Sequence, residues 1–214
     1  MEIVYLKNSP STHVELIEKI QTGELKAPIA LVAEVQTAGV GSRENSWIGG
    51  EGNLFLSFAI KLDTLPSDLP KASMSIYFSY LLKEVLAEFG SKVFLKWPND
   101  FYIENKKIGG TITKILKDDI LVCSIGLNLK NAPENFETID INIDKNILIK
   151  NFFLKLKQVV FWKKIFSKYQ VEFKQSRCFL YYDDISKKKV SLESAKLQED
   201  GSILLNDRKV YSLR

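Results

Sequence analysis

Residues 93–129 read "VFLKWPNDFYIENKKIGGTITKILKDDILVCSIGLNL", and their reading decides the fold. Short apolar runs broken by turn signals at 104–106 and 117–119 predict consecutive β-strands. Pro98 has no ladder donor and stops the first run. Lys96, Trp97, Asn99 and Asp100 are therefore expected to face outward at a strand end, where sites often lie. The pair Gly109–Gly110 costs stability inside a strand, and it fits either a hairpin bulge or close approach of another backbone. Asn128 stands in an apolar run, where a buried amide needs partners that structure or a ligand can supply.

Working outward, "STHVELIEKIQTG" (residues 11–23) predicts a helix, with Thr12 and Glu15 as a capping box and Gly23 as its stop. "PIALVAEV" (28–35) and "NLFLSFAIKL" (53–62) predict buried strands on either side of a glycine loop. Residues 71–90 predict a long helix ending at Gly90, and 144–176 predict one long or two short helices. Beyond Arg177 come short strands with turns at Asp200–Gly201 and Asn206–Asp207. The fold class is α+β: a mixed sheet backed by helices over residues 1–177, with a small β appendage over 178–214. The appendage is too short for independent stability and should lean on the main domain.

The 214 residues are 45% hydrophobic and 11% aromatic, enough for a substantial core and against disorder of the whole chain. No run is apolar enough for a membrane span, and the N-terminus lacks the pattern of a signal peptide. Cys123 and Cys178 make no disulfide framework, and the single His13 excludes a histidine-rich metal site. These features read as a cytoplasmic protein. The net charge of +4 divides into +7 over residues 151–214 and −3 over 1–150. Such a basic third fits nucleic acid, an acidic protein partner, or simply a solvated lysine face.

The loop in "AEVQTAGVGSRENSW" (33–47) places a hydroxyl, an arginine and a tryptophan close to Gly39 and Gly41. Taken alone it fits an anion-binding loop or an ordinary connection. The order of the pieces says more: glycine loop with Trp47, strand, helix, "KWPND" (96–100), "KKIGG" (106–110), "SIGLNL" (124–129). That succession, with those gaps, resembles the biotin–protein ligases, firmly over residues 11–131 and thinly beyond. The resemblance implies a class II synthetase-like catalytic fold and a C-terminal SH3-like domain, here shortened. It implies ATP and Mg²⁺ as cofactors and biotin as substrate. The biotin carboxylate attacks the α-phosphate of ATP to give biotinyl-5′-adenylate. A lysine of the biotin carboxyl carrier protein of acetyl-CoA carboxylase then takes the biotin. A monomer or weak homodimer is implied, with no membrane and no DNA partner.

By position, Lys107 matches the family's catalytic lysine, which holds the reacting carboxylate and phosphate oxygens. Ser11 and Thr12 match the start of the Ser-Thr-Asn segment at the biotin ureido group, with His13 where asparagine is usual. Gln36 matches the glutamine on the biotin side. Gly39, Val40, Gly41 and Ser42 match the loop backbone that wraps the ligand, and Gly110 the glycine of close approach. Trp47 matches the tryptophan near the adenine. Arg43, Lys96, Asn99, Asp100 and Asn128 fall at polar positions around the nucleotide, and Asp100 is the candidate for Mg²⁺.

Two departures stand out. The family loop carries arginines where this chain has Val40, Ser42 and Asn45, and Arg43 is the neighbouring cation. The chain also starts almost at the Ser-Thr segment, without a preceding helix-turn-helix, so a repressor role is not expected. A lipoate or octanoyl ligase-transferase is the related alternative, but it needs an apolar tunnel rather than ureido partners. A nucleic-acid-binding module would explain the basic third and leave Lys107 and the tryptophan loop without purpose. Each lost charge-assisted hydrogen bond to the adenylate phosphate costs about 1.5–3 kcal/mol, roughly tenfold to a hundredfold in affinity. The chain is therefore expected to release biotinyl-adenylate more readily than an arginine-loop ligase. Biotin found on an unrelated protein incubated with enzyme, biotin and ATP checks this. No excess labelling would mean that Arg43 holds the phosphate, and Arg43→Ala should then create the leak.

Overall fold

The computed structural model describes residues 1–41 and 46–211. Strand β1 (Glu2–Ser9) and helix α1 (Thr12–Gln21) lead into β2 (Ile29–Val40), β3 (Ser46–Gly49) and β4 (Leu54–Lys61). Helix α2 (Met74–Glu88) is followed by β5 (Phe94–Lys96), β6 (Asp100–Ile103), β7 (Lys106–Ile115) and β8 (Ile120–Leu127). These strands form one sheet in the order β1-β2-β4-β8-β7-β6-β5, with β3 paired to β2. Only β1 and β2 run parallel; the other neighbours are antiparallel. Helices α3 (Lys145–Leu156) and α4 (Trp162–Glu172) complete the main body.

The three central strands are apolar on both faces, which requires cover on both sides of the sheet. Alternation along them sorts the residues. Ala30, Val32, Leu54, Leu56, Phe58, Leu121, Cys123 and Ile125 pack with α2 and α3 in the large core. Ile29, Leu31, Ala59 and Val122 point the other way and meet Leu16 and Ile17 of α1. Two long helices thus cover one face, and one ten-residue helix covers part of the other.

Three expectations change, and residues 2–9, which carried no expected element, form a strand whose modest burial at the sheet edge leaves a weak pattern. Strand β2 continues past Val35 to Val40, so Gly39 and Val40 are ladder residues opposite Trp47 and Ser46. The cap of α1 is Ser11, which accepts from Val14 N. Thr12 is already helical, and Glu15 accepts from Ser9 Oγ at 2.7 Å, so there is no capping box. Finally, "KWPND" is a tight β5–β6 hairpin rather than an outward-facing strand end. Trp97 is fully buried, Asn99 is buried, and Asn99 Nδ2 donates to Thr111 O. The 144–176 segment resolves into two helices with carboxylate caps, α3 with its own N-cap residue and α4 with one borrowed from a distant loop. Asp144 accepts from Asn146 N and Ile147 N, and Asp68 accepts from Trp162 N and Lys163 N.

The C-terminal residues form the hairpin β9 (Leu180–Asp183) and β10 (Lys188–Ser191). A three-stranded sheet of β11 (Lys196–Leu197), β12 (Ile203–Leu205) and β13 (Arg208–Val210) follows. Tyr181, Leu192, Ala195, Ile203 and Leu205 join the large core, as expected of a piece too small to stand alone. Its β11–β12 turn is pinned from three sides. Trp97 Nε1 donates to Gly201 O at 2.9 Å, Trp162 Nε1 donates to Glu199 O at 2.8 Å, and Ser73 Oγ donates to Asp200 O. Gly201 has φ +75, and a Cβ there would collide with Ser73 Oγ and lie 3.0 Å from Ile76 Cδ1. Gly201→Ala should therefore destabilise by about 2 kcal/mol, a fall of roughly 4–8 °C in Tm. Gly23→Ala, at φ +77 with open space around it, isolates the backbone part and should cost less. Thermal melts of both variants check the comparison.

Candidate active site

At the N-terminal end of α1 the sheet face lies open, and a cleft forms there. Its walls are the start of α1 (Ser11, Thr12, His13), β2 and the residue after it (Gln36, Val40, Gly41), and Trp47 of β3. Phe55 of β4, Asn99 and Asp100 of the β5–β6 hairpin, and Lys107, Gly110 and Ile112 of β7 continue it, and Ser124 and Gly126 of β8 complete the floor.

One end of the cleft is charged. Lys107 Nζ lies 2.7 Å from Asp100 Oδ1, and Lys96 Nζ lies 3.7 Å from Asp100 Oδ2. Among the described side chains, two lysines thus face this one carboxylate. Lys107 Nζ also lies 5.8 Å from the centroid of the Trp47 ring. The indole lies against Gly126, where a Cβ would strike Nε1, and it meets Phe136 edge-on at 6.0 Å. Trp47 Nε1 is buried with no hydrogen-bond partner among the described residues. Gly109 faces Gly126 O too closely for any side chain, whereas a Cβ on Gly110 would find Asp100 Oδ1 at 3.3 Å. The strictest space requirement of the "GG" pair is thus at Gly109, one residue before the expected Gly110.

The other end is neutral and hydrogen-bonded. Thr12 N and Thr12 Oγ1 both donate to Gln36 Oε1, at 3.0 and 3.2 Å. Thr12 Oγ1 is 2.8 Å from Ser57 Oγ, which is 2.7 Å from Ser124 Oγ, which is 2.7 Å from His13 Nδ1. Ser57 and Ser124 are direct cross-strand partners in the β4–β8 ladder. Sequence reading missed both as site residues. The available signal was a single hydroxyl on the same face of each of two otherwise apolar strands.

Of the residues expected at the site, Ser11, Thr12, His13, Gln36, Val40, Gly41, Trp47, Asn99, Asp100, Lys107 and Gly110 line this one cleft. Lys96 does not line it and acts through Asp100. Gly39 does not line it either; a Cβ there would collide with the Gln36 side chain and with Trp47 O. Asn128 is away from it, stitching residues 137–139 to the sheet. Its backbone N donates to Ile108 O, its O accepts from Ile139 N, and its Nδ2 donates to Glu137 O at 3.2 Å. Ser42, Arg43 and Asn45 lie outside the described residues.

Residues 5–129 match the biotin/lipoate A/B protein ligase family. This chain belongs to that family. Over 98% of its length it superposes on 99% of the biotin acetyl coenzyme A carboxylase synthetase of Helicobacter pylori, solved with biotinylated ATP, at TM-score 0.93 and 38% identity. It is 30% identical over 154 residues to the bifunctional ligase/repressor BirA of Escherichia coli, covering 64% of this chain and 47% of that protein. It is 26% identical over 133 residues to the biotin–[acetyl-CoA-carboxylase] ligase of Mycobacterium tuberculosis, covering 59% and 49%. The chain spans about half the length of the curated relatives it matches.

At the position where this family usually has asparagine, His13 has its pKa held down to about 4, first by burial and then by the nearby charge of Lys114. The folded protein therefore resists a proton that the unfolded chain accepts from the ordinary value of 6.5 downward. The stability tied to this group is complete above pH 6.5 and is lost as pH falls towards 4, in total on the order of 3 kcal/mol. Thermal melts across that window should fall more steeply for the wild type than for His13→Asn. Parallel curves would mean that His13 titrates as it does in water.

Proposed function

We propose that this protein is a biotin–protein ligase. It activates biotin with ATP to biotinyl-5′-adenylate, releasing pyrophosphate, and transfers biotin to a lysine of the biotin carboxyl carrier protein of acetyl-CoA carboxylase, releasing AMP. The observation that carries this reading is the polarity of this cleft. A cationic end, Lys107 held by Asp100, suits a carboxylate meeting a phosphate. A hydroxyl-and-amide end, from Gln36 to His13, suits a small polar ring. An octanoyl or lipoyl chain would leave the polar end unmatched, which disfavours the related alternative.

In the first step two anionic groups must approach. The ammonium of Lys107 offsets their repulsion and stabilises the charge gathering on the phosphate oxygens. Asp100 fixes its position, and Lys96 balances the carboxylate so that the local charge stays positive. Trp47 offers a flat ring at the adenine side, and its buried Nε1 is a donor that an acceptor on the ligand would satisfy. The anhydride must be kept from water, and the walls that β2, β3 and the start of α1 raise around the cleft offer that shelter. The cleft does not fit a resident metal. Among the described residues no three of His, Cys, Asp or Glu cluster, and the lining carboxylate Asp100 is engaged by Lys107. Magnesium enters this reading as the counter-ion that ATP carries.

Residues 178–214 are read as a small SH3-like domain that braces the Trp97 hairpin, and the setting as the cytoplasm. No helix among the described residues is long and apolar enough to cross a membrane. The basic C-terminal third is suited to an acidic carrier domain, so transfer should slow as salt rises. Biotin-dependent exchange of pyrophosphate into ATP, absent with lipoate or octanoate, tests the first step. Lys107→Ala should lower that exchange roughly a hundredfold, the effect of removing about 3 kcal/mol of transition-state stabilisation, and weaken biotin binding far less. Wild-type exchange in the variant would remove Lys107 from the chemistry.

A further inference from the structure

The polar chain between Gln36 and His13 has a direction that follows from counting protons. Thr12 N is a main-chain donor, so the Gln36 atom 3.0 Å from it must be the carbonyl oxygen. The Thr12 hydroxyl, 3.2 Å from the same oxygen, donates its one proton there, since Ser57 Oγ approaches it as a donor. At the 2.8 Å contact between Ser57 and Thr12, Ser57 must be the donor. At the 2.7 Å contact between the two serines, Ser124 must be the donor. The last contact, 2.7 Å between Ser124 Oγ and His13 Nδ1, is left with only one possible proton, and it sits on Nδ1. Burial and Lys114 keep the ring neutral, so its second nitrogen carries a lone pair. Nε2 has no protein partner among the described residues and is not sealed away as a buried unpaired atom, and His13 lines the cleft.

We propose that His13 is a specificity-determining residue, locked as the Nδ1–H tautomer so that Nε2 accepts a hydrogen bond from an N–H of the ligand. The chain then ends in a donor, the Gln36 amide NH₂, and an acceptor, His13 Nε2, with their polarity fixed by the hydroxyls between them. A cyclic urea or amide edge, with C=O and N–H side by side, complements that pair. This rests on the biotin reading, because the ureido ring is such an edge. A ligand without N–H donors would leave Nε2 unsatisfied. Ser57 and Ser124 are positioning residues that act through His13.

The chain has a single histidine, so its ring gives one set of nitrogen resonances that needs no assignment. In the free wild-type protein at neutral pH, ¹⁵N NMR should show a protonated Nδ1 and an unprotonated Nε2, and biotin should move the Nε2 signal as it accepts the bond. Ser124→Ala removes the group that fixes the proton and should let the Nε2–H tautomer appear. By calorimetry, His13→Phe should weaken biotin binding roughly tenfold, while His13→Asn, which keeps an acceptor, should stay within about threefold. An Nε2–H ring or an imidazolium in the free wild-type protein overturns the proton count, whatever the variants do. An unchanged biotin Kd in folded His13→Phe overturns the acceptor role alone. No biotin binding by the wild type would overturn the ligase reading and the acceptor role together.

Discussion

One sheet carries two very different faces, and the difference is a matter of length. Strand β2 has twelve residues and at about 3.3 Å each extends some 40 Å, whereas the ten residues of α1 reach only about 15 Å. Helices α2 and α3 seal the opposite face with a continuous apolar core. On the α1 side, Ile29, Leu31, Ala59 and Val122 are covered, and the sheet then runs out from under the helix. The floor beyond is Phe55, Ser124 and Gly126, with Ser57 buried beneath it, all on the face that the alternation of β4 and β8 turns towards α1. The cleft is that uncovered floor. It needs no separate structural device, only a helix shorter than the strands beneath it.

The same economy governs its chemistry. Central strands buried on both faces tolerate polar side chains only where each finds a partner. Ser57 and Ser124 find one another across the ladder, and Thr12 and His13 of α1 extend the chain at both ends. The start of α1 is therefore a ligand wall as well as a cap, with Ser11 closing the helix while Thr12 and His13 turn inward. At the charged end the hairpin of β5 and β6 works similarly. Trp97 is a core residue, hydrogen-bonded to Gly201 and packed on Tyr181 at 5.2 Å, and its neighbours Lys96 and Asp100 are held by that burial. The C-terminal strands thus support the charged side of the cleft without contributing a residue to its lining.

The asymmetry has an energetic logic. Binding groups held by rigid elements lose little freedom when a ligand arrives, so more of the interaction energy remains for affinity and for the transition state. The polar end is built on β2, β4, β8 and the first turn of α1. The charged end is built on β6 and β7, with Gly109 allowing β7 to lie against β8 at Gly126. Trp47 lies between them on the short strand β3, close to Lys107 and over Gly126.

Sequence alone was sufficient for the local elements and for the kind of chemistry. The apolar runs at 28–35 and 53–62, the turns at 104–106 and 117–119, and the helix ending at Gly90 are determined by nearest neighbours, so they were legible. The order of the glycine loop, "KWPND" and "KKIGG" pointed to Lys107, Trp47 and the Ser11–Thr12 segment, which line one cleft. What the linear chain could not carry was pairing. Ser57 and Ser124 are 67 positions apart and gain meaning only as cross-strand partners. Gly109 and Gly126 matter because one backbone and one indole press on them from elsewhere in the chain. Asn128, placed near the nucleotide by its order in the chain, is bonded to residues 137–139 through its backbone and Nδ2, while its Oδ1 is buried without a partner among the described residues. Trp97 looked exposed until the C-terminal turn was packed against it. Residue type and local order set what each group is able to do. The tertiary structure decided which groups do it together, because hydrogen bonding and steric exclusion act across space and are blind to separation along the chain.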